Sequence, residues 1–141
     1  MRNPLIPFDG SAAALRALDH ALQEMRGQAD GQVHVLHVQP PMRQLGPSRL
    51  VTPDMIAAEL RSDGLQLLTQ AQNKVQAAGL TCVSQVRIGA AAAEIAAYAT
   101  EHGCEAIVMG SRGMGSVAGL VLGSVAHKVL HLAQVPVTMV K

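Results

Sequence analysis

The chain has 141 residues, a length that fits one compact domain with a hydrophobic core. Hydrophobic residues make up 49% of the sequence, which excludes a disordered chain. Aromatic residues make up 1% and the net charge is +1, which argues against a stacking platform for nucleic acid and against electrostatic recruitment to nucleic acid or membrane.

The first half of the chain predicts two strands and two helices. Leu5–Phe8 and Gln32–Val38 are apolar runs typical of strands, and leucines at spacings of three and four between them predict a helix capped by Ser11. Thr52-Pro53-Asp54 predicts the start of the second helix, because it offers a capping hydroxyl, an N-terminal proline and an early acid. Gly79 predicts its end in a left-handed cap.

The second half continues the alternation. Strands are predicted at Leu80–Ile88, Glu105–Met109 and Pro136–Val140, and helices at Gly89–His102 and from about Ser124 to Ala133. Strands that alternate with helices to the end predict an α/β fold, in which a parallel sheet carries helices on both faces. No linker or repeat divides the chain, so we expect a single Rossmann-like domain over residues 1–141.

A glycine-rich segment lies between the fourth strand and the last helix. Gly110 and Gly113 leave the strand, and Gly123-Ser124-Val125 begins the helix, where free amides and the helix dipole favour phosphate. The segment is not a P-loop, because no GxxxxGK[ST] is present. Residues 113–118 match the dinucleotide fingerprint, but no acid follows Glu105 to hold a ribose, so we reject NAD binding by that motif.

The spacing Gly110-x2-Gly113-x9-Gly123-Ser124 resembles the signature of the universal stress protein family in its nucleotide-binding branch. Ile6-Pro7-Phe8-Asp9-Gly10-Ser11 and Val135-Pro136-Val137-Thr138-Met139-Val140 are similar to the first and last strands of that family. The resemblance implies a five-stranded sheet in the order 3-2-1-4-5. The first and fourth strands then lie side by side at the topological switch point, where open α/β sheets bind ligands.

The resemblance also implies ATP, or AMP or ADP, as the ligand, with Mg²⁺ as a further candidate on the phosphates. The residues it assigns are Pro7, Asp9 and Val38 on the adenine and ribose side, Met109 and Gly110 beneath the ribose and first phosphate, and Arg112, Gly113, Gly123, Ser124 and Val125 around the phosphates. Ala126 stands where some nucleotide-binding members have a hydroxyl residue. For Asp9 the alternative is a turn or capping role before the first helix.

Other polar residues give weaker signals. His127 and His131 are four apart on the last helix, but a zinc site needs a third ligand, so we interpret them as an exposed helix face. His34 and His37 fall on opposite faces of one strand, and we expect His37 to be a hydrogen-bonded core histidine. Serines of the glycine-rich segment lack a His–Asp pair nearby in sequence, so no catalytic residue is assigned.

Three functions follow as hypotheses. The first is a regulatory stress-response module that binds adenine nucleotide, with at most slow hydrolysis. The second is a weak ATPase or phosphoryl-transfer enzyme, for which no nucleophile-orienting residue is found. The third is a nucleotide-free interaction protein acting through a dimer surface; strand 136–140 is apolar on both faces, and the family resemblance implies a homodimer through it.

Two cysteines, Cys82 and Cys104, are too few and too far apart for a disulfide framework. The N-terminus has no apolar signal region, and the longest uncharged stretch, residues 113–126, is too short and glycine-rich to cross a bilayer. We therefore expect a cytoplasmic protein with reduced thiols.

Overall fold

The computed structural model describes residues 1–41, 51–111 and 122–141. Strands and helices alternate along these residues, as the sequence predicts. They are β1 (Leu5–Pro7), α1 (Ala12–Glu24), β2 (Gln32–Gln39), α2 (Pro53–Ala77), β3 (Thr81–Ile88), α3 (Ala91–Glu101), β4 (Ile107–Gly110), α4 (Ser124–Leu132) and β5 (Val137–Val140).

The strands form one parallel sheet in the order β3-β2-β1-β4-β5. This confirms both the α/β fold class and the strand order that the family resemblance implies. The longest ladder joins β2 to β3, from the pair Gln32 and Thr81 to the pair Gln39 and Ile88. The short strand β1 lies at the centre, between β2 and β4. No helix within the described residues is long and apolar enough to cross a membrane.

Successive residues of the central strands enter different cores, because strand side chains alternate between the two faces of a sheet. Ile6, Val35 and Val108 pack on one face with α1 and α2. Leu5, Leu36 and Ile107, their immediate neighbours in sequence, pack on the other face with α3 and α4. These central strands therefore carry apolar side chains on both faces, as a sheet covered on both sides requires.

The predicted helix ends are confirmed by specific contacts. Ser11 accepts a hydrogen bond from the amide of Ala14 through its hydroxyl, at 3.1 Å. The hydroxyl of Thr52 accepts a hydrogen bond from the amide of Met55, also at 3.1 Å. Pro53 is the first residue of α2. Gly79 has a φ of 78°, the left-handed conformation expected just beyond the helix.

The two histidines of β2 point to opposite faces, also as predicted. His37 is buried, and its Nδ1 atom lies 2.8 Å from the carbonyl oxygen of Phe8. His34 is 5% exposed and shares a 2.8 Å hydrogen bond with the hydroxyl of Tyr98 on α3. His37 is therefore a core residue that ties β2 to the end of β1.

Candidate functional site

Pairing between β1 and β4 stops early, and Pro7 explains why. The amide of Leu5 donates to Ala106 on the β4 side at 2.9 Å, whereas the amide of Phe8 donates to Leu36 on the β2 side at 2.8 Å. Alternate amides point to alternate neighbours, so the amide position of Pro7 faces β4 and carries no hydrogen. The β1–β4 register accordingly holds only Leu5 against Ile107. The strands are thus left unpaired where they reach the switch point.

Gly110 ends β4 directly beneath the start of α1. A Cβ atom at this position would lie 2.6 Å from the Cβ atom of Ala13 and 2.9 Å from its backbone carbonyl carbon and oxygen. Such distances are below van der Waals contact, so only glycine lets α1 pack this closely on β4. The glycine of the signature therefore has a packing role in addition to any role towards a ligand.

Ser111 connects the end of β4 to its two neighbours through its backbone. Its amide donates to the carbonyl oxygen of Val140 in β5 at 2.9 Å. Its own carbonyl oxygen accepts the amide hydrogen of Gly123 at 2.7 Å. The second bond fixes the start of α4 beside the carboxyl end of β4, although twelve positions separate Ser111 from Gly123 in sequence.

The N-terminus of α4 presents amides that have no partner inside the helix. Gly123 is the N-cap residue and supplies no side-chain cap, and the first helical bond runs from the amide of His127 to Gly123 at 3.0 Å. The amides of Ser124, Val125 and Ala126 precede that bond, and no backbone hydrogen bond is formed by them among the described residues. Free amides and the positive end of the helix dipole suit an anion.

Asp9 lies just beyond β1, half-buried. Its Oδ1 atom accepts a hydrogen bond from the amide of Ser11 at 2.9 Å, so Asp9 orders the turn that leads into α1. The next residue, Gly10, has a φ of 80°, which only glycine adopts readily. The turn role predicted as the alternative for Asp9 is therefore present; its role towards a ligand stays a prediction.

The structure brings most of the predicted site residues to one edge of the sheet. Pro7, Val38 and Gly110 lie at the carboxyl ends of the parallel strands β1, β2 and β4, and Met109 is buried one residue before Gly110. Gly123 is buried, whereas the side chains of Ser124 and Val125 are exposed. Arg112 and Gly113 lie outside the described residues. Sequence reasoning missed the backbone role of Ser111, since no side-chain pattern signals a bond between main-chain groups.

Ala126 belongs to the core, not to the rim of this edge. It is 3% exposed and packs with the cluster on the α3 and α4 face of the sheet. A methyl group at this position contributes apolar contact and no hydrogen bond. Any contact of α4 with an anion would therefore use its backbone and the Ser124 hydroxyl.

Arg87 is engaged in a separate cluster on the α3 face. Its guanidinium lies 5.0 Å from the centre of the Tyr98 ring and contacts the carboxylates of Glu94 at 3.3 Å and Glu101 at 2.5 Å. The hydrogen bond from Arg87 lowers the pKa of Glu101. Because its charge is satisfied within the fold, Arg87 acts as a structural cation that joins β3 to α3.

A groove of about 710 Å³ lies at the opposite edge of the sheet, between the C-terminal ends of α1 and α2. Leu22, Met25, Ala78 and Leu80 line it together with polar residues such as Gln28. It lies at the amino ends of the strands, whereas open α/β sheets bind their ligands at the carboxyl ends. We therefore assign the candidate site to the edge formed by Pro7, Gly110 and Gly123.

Comparison with known proteins agrees with this fold. The sequence matches the universal stress protein family over residues 1–141. The chain belongs to the universal stress protein family. Universal stress protein YxiE of Bacillus subtilis is 32% identical to it, over 97% of each chain.

Solved structures share the fold. Hypothetical protein MJ0577 superposes with a TM-score of 0.85 at 24% identity, over 99% of this chain and 95% of its own. A universal stress protein in complex with cAMP gives 0.73 at 23% identity, over 99% and 97% of the two chains. A family protein from Arabidopsis thaliana with AMP bound gives 0.72 at 21% identity, over 100% and 92%.

Proposed function

We propose that this universal stress protein binds an adenine nucleotide at the carboxyl edge of its sheet and acts as a regulatory module in a stress response. The observation that supports this best is the 2.7 Å bond from the Gly123 amide to the Ser111 carbonyl oxygen. Through that bond the N-terminal amides of α4, which form no backbone hydrogen bond among the described residues, lie next to the switch point between β1 and β4. Phosphate and ribose are the groups that such an edge accommodates.

In the proposed complex, different residues at this edge contact the base, the ribose and the phosphates. Pro7, Asp9 and Val38 would contact the base and ribose, and Met109 and Gly110 would lie beneath the ribose and first phosphate. The phosphates would be held by the amides of Gly123, Ser124 and Val125 and, outside the described residues, by Arg112 and Gly113. Mg²⁺, where it accompanies the nucleotide, would take oxygen ligands from the phosphates and from Asp9.

Two relatives of the same fold support an adenine nucleotide as the ligand class. One is crystallised with AMP and another with cAMP. AMP and cAMP both contain an adenosine and one phosphate, the groups that the edge around Pro7 and Gly110 would contact. ATP is the form we propose for this chain, because the α4 amides offer donors for further phosphates.

Substitution of Ser124 tests the role of the α4 backbone. Gly123 is extended, with φ −68° and ψ 158°, so it accepts a following proline, and Ser124 is the first helical residue, where proline is favoured. Ser124→Pro removes the hydroxyl and the amide hydrogen, whereas Ser124→Ala removes the hydroxyl alone. A hydrogen bond to a charged group contributes roughly 1.5–3 kcal/mol, so we expect Ser124→Pro to weaken ATP binding about tenfold or more.

Calorimetric titration with ATP and Mg²⁺ measures the affinity of the parent chain and of the two variants for the nucleotide. We expect Ser124→Ala to retain most of the affinity and Ser124→Pro to lose it, with circular dichroism verifying that both are folded. Equal affinity of the parent chain and of Ser124→Pro would show that the Ser124 amide and hydroxyl are not phosphate ligands.

The edge strand β5 supports a homodimer as the assembly of this module. One face of β5 packs on α4 and the other on α1. All four of its residues, Val137–Val140, nevertheless stay half-buried and are not fully covered. Strand β5 pairs only with β4 within the described residues, and its other side is the end of the sheet. An apolar strand with one free edge invites pairing with a second copy of the chain.

A further inference from the structure

His127 and His131 form an exposed pair on α4, three and seven residues beyond its first residue, Ser124. Their ring centres are 6.2 Å apart and the ring planes differ by only 20°. Residues four apart on a helix are neighbours on its surface. Ala126 and Val129 hold the other face of α4 in the core, so the fold fixes the relative position of the two histidines.

The contacts of this pair differ from those of other histidines. The side chains of His34, His37 and His102 each lie within hydrogen-bond distance of a protein oxygen atom. Within the part of the chain that the structure describes, the rings of His127 and His131 contact each other. Both side chains are exposed, and two imidazoles one turn apart on a helix are close enough for both to reach one ion.

The surrounding composition selects the class of ligand. No Asp or Glu follows Glu105, so the pair offers imidazole nitrogen without a carboxylate from its own part of the chain. Imidazole suits Cu²⁺, Ni²⁺ and Zn²⁺, whereas Mg²⁺ and Ca²⁺ require oxygen ligands. Within the described residues no group of three or more potential ligands is found, so a closed structural zinc site is excluded there.

We propose that His127 and His131 form an open, two-histidine chelating site for a divalent transition-metal ion, with water completing its coordination. The ion would bridge consecutive turns of α4 and stabilise the folded helix, since a ligand that binds only the folded state adds to its stability. The site is independent of the nucleotide proposal, because it uses side chains of α4 and not its N-terminal amides.

The test is calorimetric titration of the full chain with Zn²⁺ and Ni²⁺ at neutral pH, in the absence of nucleotide. We expect one ion bound per chain. His131→Gln should weaken binding by at least about tenfold, the lower end of the loss seen even for outer-shell partners of a metal. His20→Gln, a histidine outside α4, serves as the matched control and should leave affinity unchanged.

A second control separates chelation from the number of histidines. The double variant His131→Gln/Leu132→His keeps two exposed histidines on α4 but places them five residues apart, on different sides of the helix. We expect it to bind as weakly as His131→Gln alone. The proposal is overturned if the parent chain shows no saturable one-to-one binding, or if either of these variants binds the metal as tightly as the parent.

Discussion

The Nδ1 atom of His34 lies 2.8 Å from the hydroxyl of Tyr98, and both side chains are buried. This contact joins β2 to α3 across 64 positions of sequence. The ring of His102 stacks on Tyr98 at 3.8 Å, and Arg87 lies 5.0 Å from the centre of the Tyr98 ring. A cluster of two histidines, one tyrosine and one arginine thus holds α3 on the sheet.

The first prediction concerns stability in acid. Burial, and then the proximity of His102, lowers the pKa of His34 below 6.5. The unfolded chain takes up this proton first, so the stabilisation is present above pH 6.5 and is lost as the pH falls from 6.5 towards the lower pKa of the folded state. Urea unfolding at a series of pH values should show that the free energy of unfolding falls as the pH drops below 6.5. The fall should be at most about 1.4 kcal/mol per pH unit for one proton.

Substitution of His34 tests whether this residue causes the pH dependence of stability. His34→Gln retains a polar partner for Tyr98 but no titrating group, so the free energy of unfolding of this variant should depend less on pH below 6.5. His20→Gln is the matched control and should keep the pH dependence of the parent chain. An unchanged pH dependence in His34→Gln would assign the acid sensitivity to another group.

The second prediction uses Tyr98, the one tyrosine of a chain that has no tryptophan. Burial raises the pKa of its phenol to about 12. The phenol of the unfolded chain ionises near 10, so the folded state loses stability as the pH rises from about 10 towards 12. An ultraviolet titration of phenolate absorbance reports on this side chain alone. Ionisation of the native protein near pH 10 would mean that Tyr98 is accessible to water.

The third prediction concerns the close packing of α1 on β4. Gly110→Ala places a methyl group 2.6 Å from the Cβ atom of Ala13, and α1 must move away. We expect the free energy of unfolding to fall by about 1–3 kcal/mol, as for other overpacked cores. Gly89→Ala is the control, because its methyl group would meet the flexible end of Glu94 and should cost less. Equal losses in the two variants would contradict the packing argument.

The fourth prediction tests the proposed homodimer. The carbonyl oxygens of Pro136 and Val140 accept amides of β4 and its extension, so the amides of Val137 and Met139 point to the free edge. Met139→Pro removes one of these donors and leaves the β4 ladder intact. Sedimentation should show a dimer for the parent chain and for Met139→Leu, and a monomer for Met139→Pro. A monomeric parent at micromolar concentration would refute the assembly.

Much of the fold is encoded locally and was predictable. Ser11, Thr52 and Gly79 set helix ends through bonds or backbone conformations of their own segments. Strand boundaries were less accurate, because they depend on pairing partners. Strand β4 begins at Ile107 and not at Glu105, whose side chain is exposed, and β1 ends at Pro7 and not at Phe8.

The candidate site was proposed from glycine spacing, but its backbone connections could not be predicted. Gly110 and Gly123 stand out in the sequence through their spacing, and at Gly110 the close approach of Ala13 excludes a side chain. The bond from Gly123 to Ser111 and the contact of His34 with Tyr98 arise only when distant segments meet in the folded sheet. Predicting such contacts requires the relative position of whole elements, which local propensity does not carry.

The central claim is that the edge formed by Pro7, Gly110 and Gly123 binds an adenine nucleotide. The most direct measurement is calorimetric titration of the purified chain with ATP and Mg²⁺, together with mass spectrometry of any nucleotide released when the protein is denatured. We expect saturable one-to-one binding of ATP or release of a co-purified adenine nucleotide, and we expect Gly113→Val to lose it. No released nucleotide and no heat of binding would contradict it and would favour a nucleotide-free interaction protein.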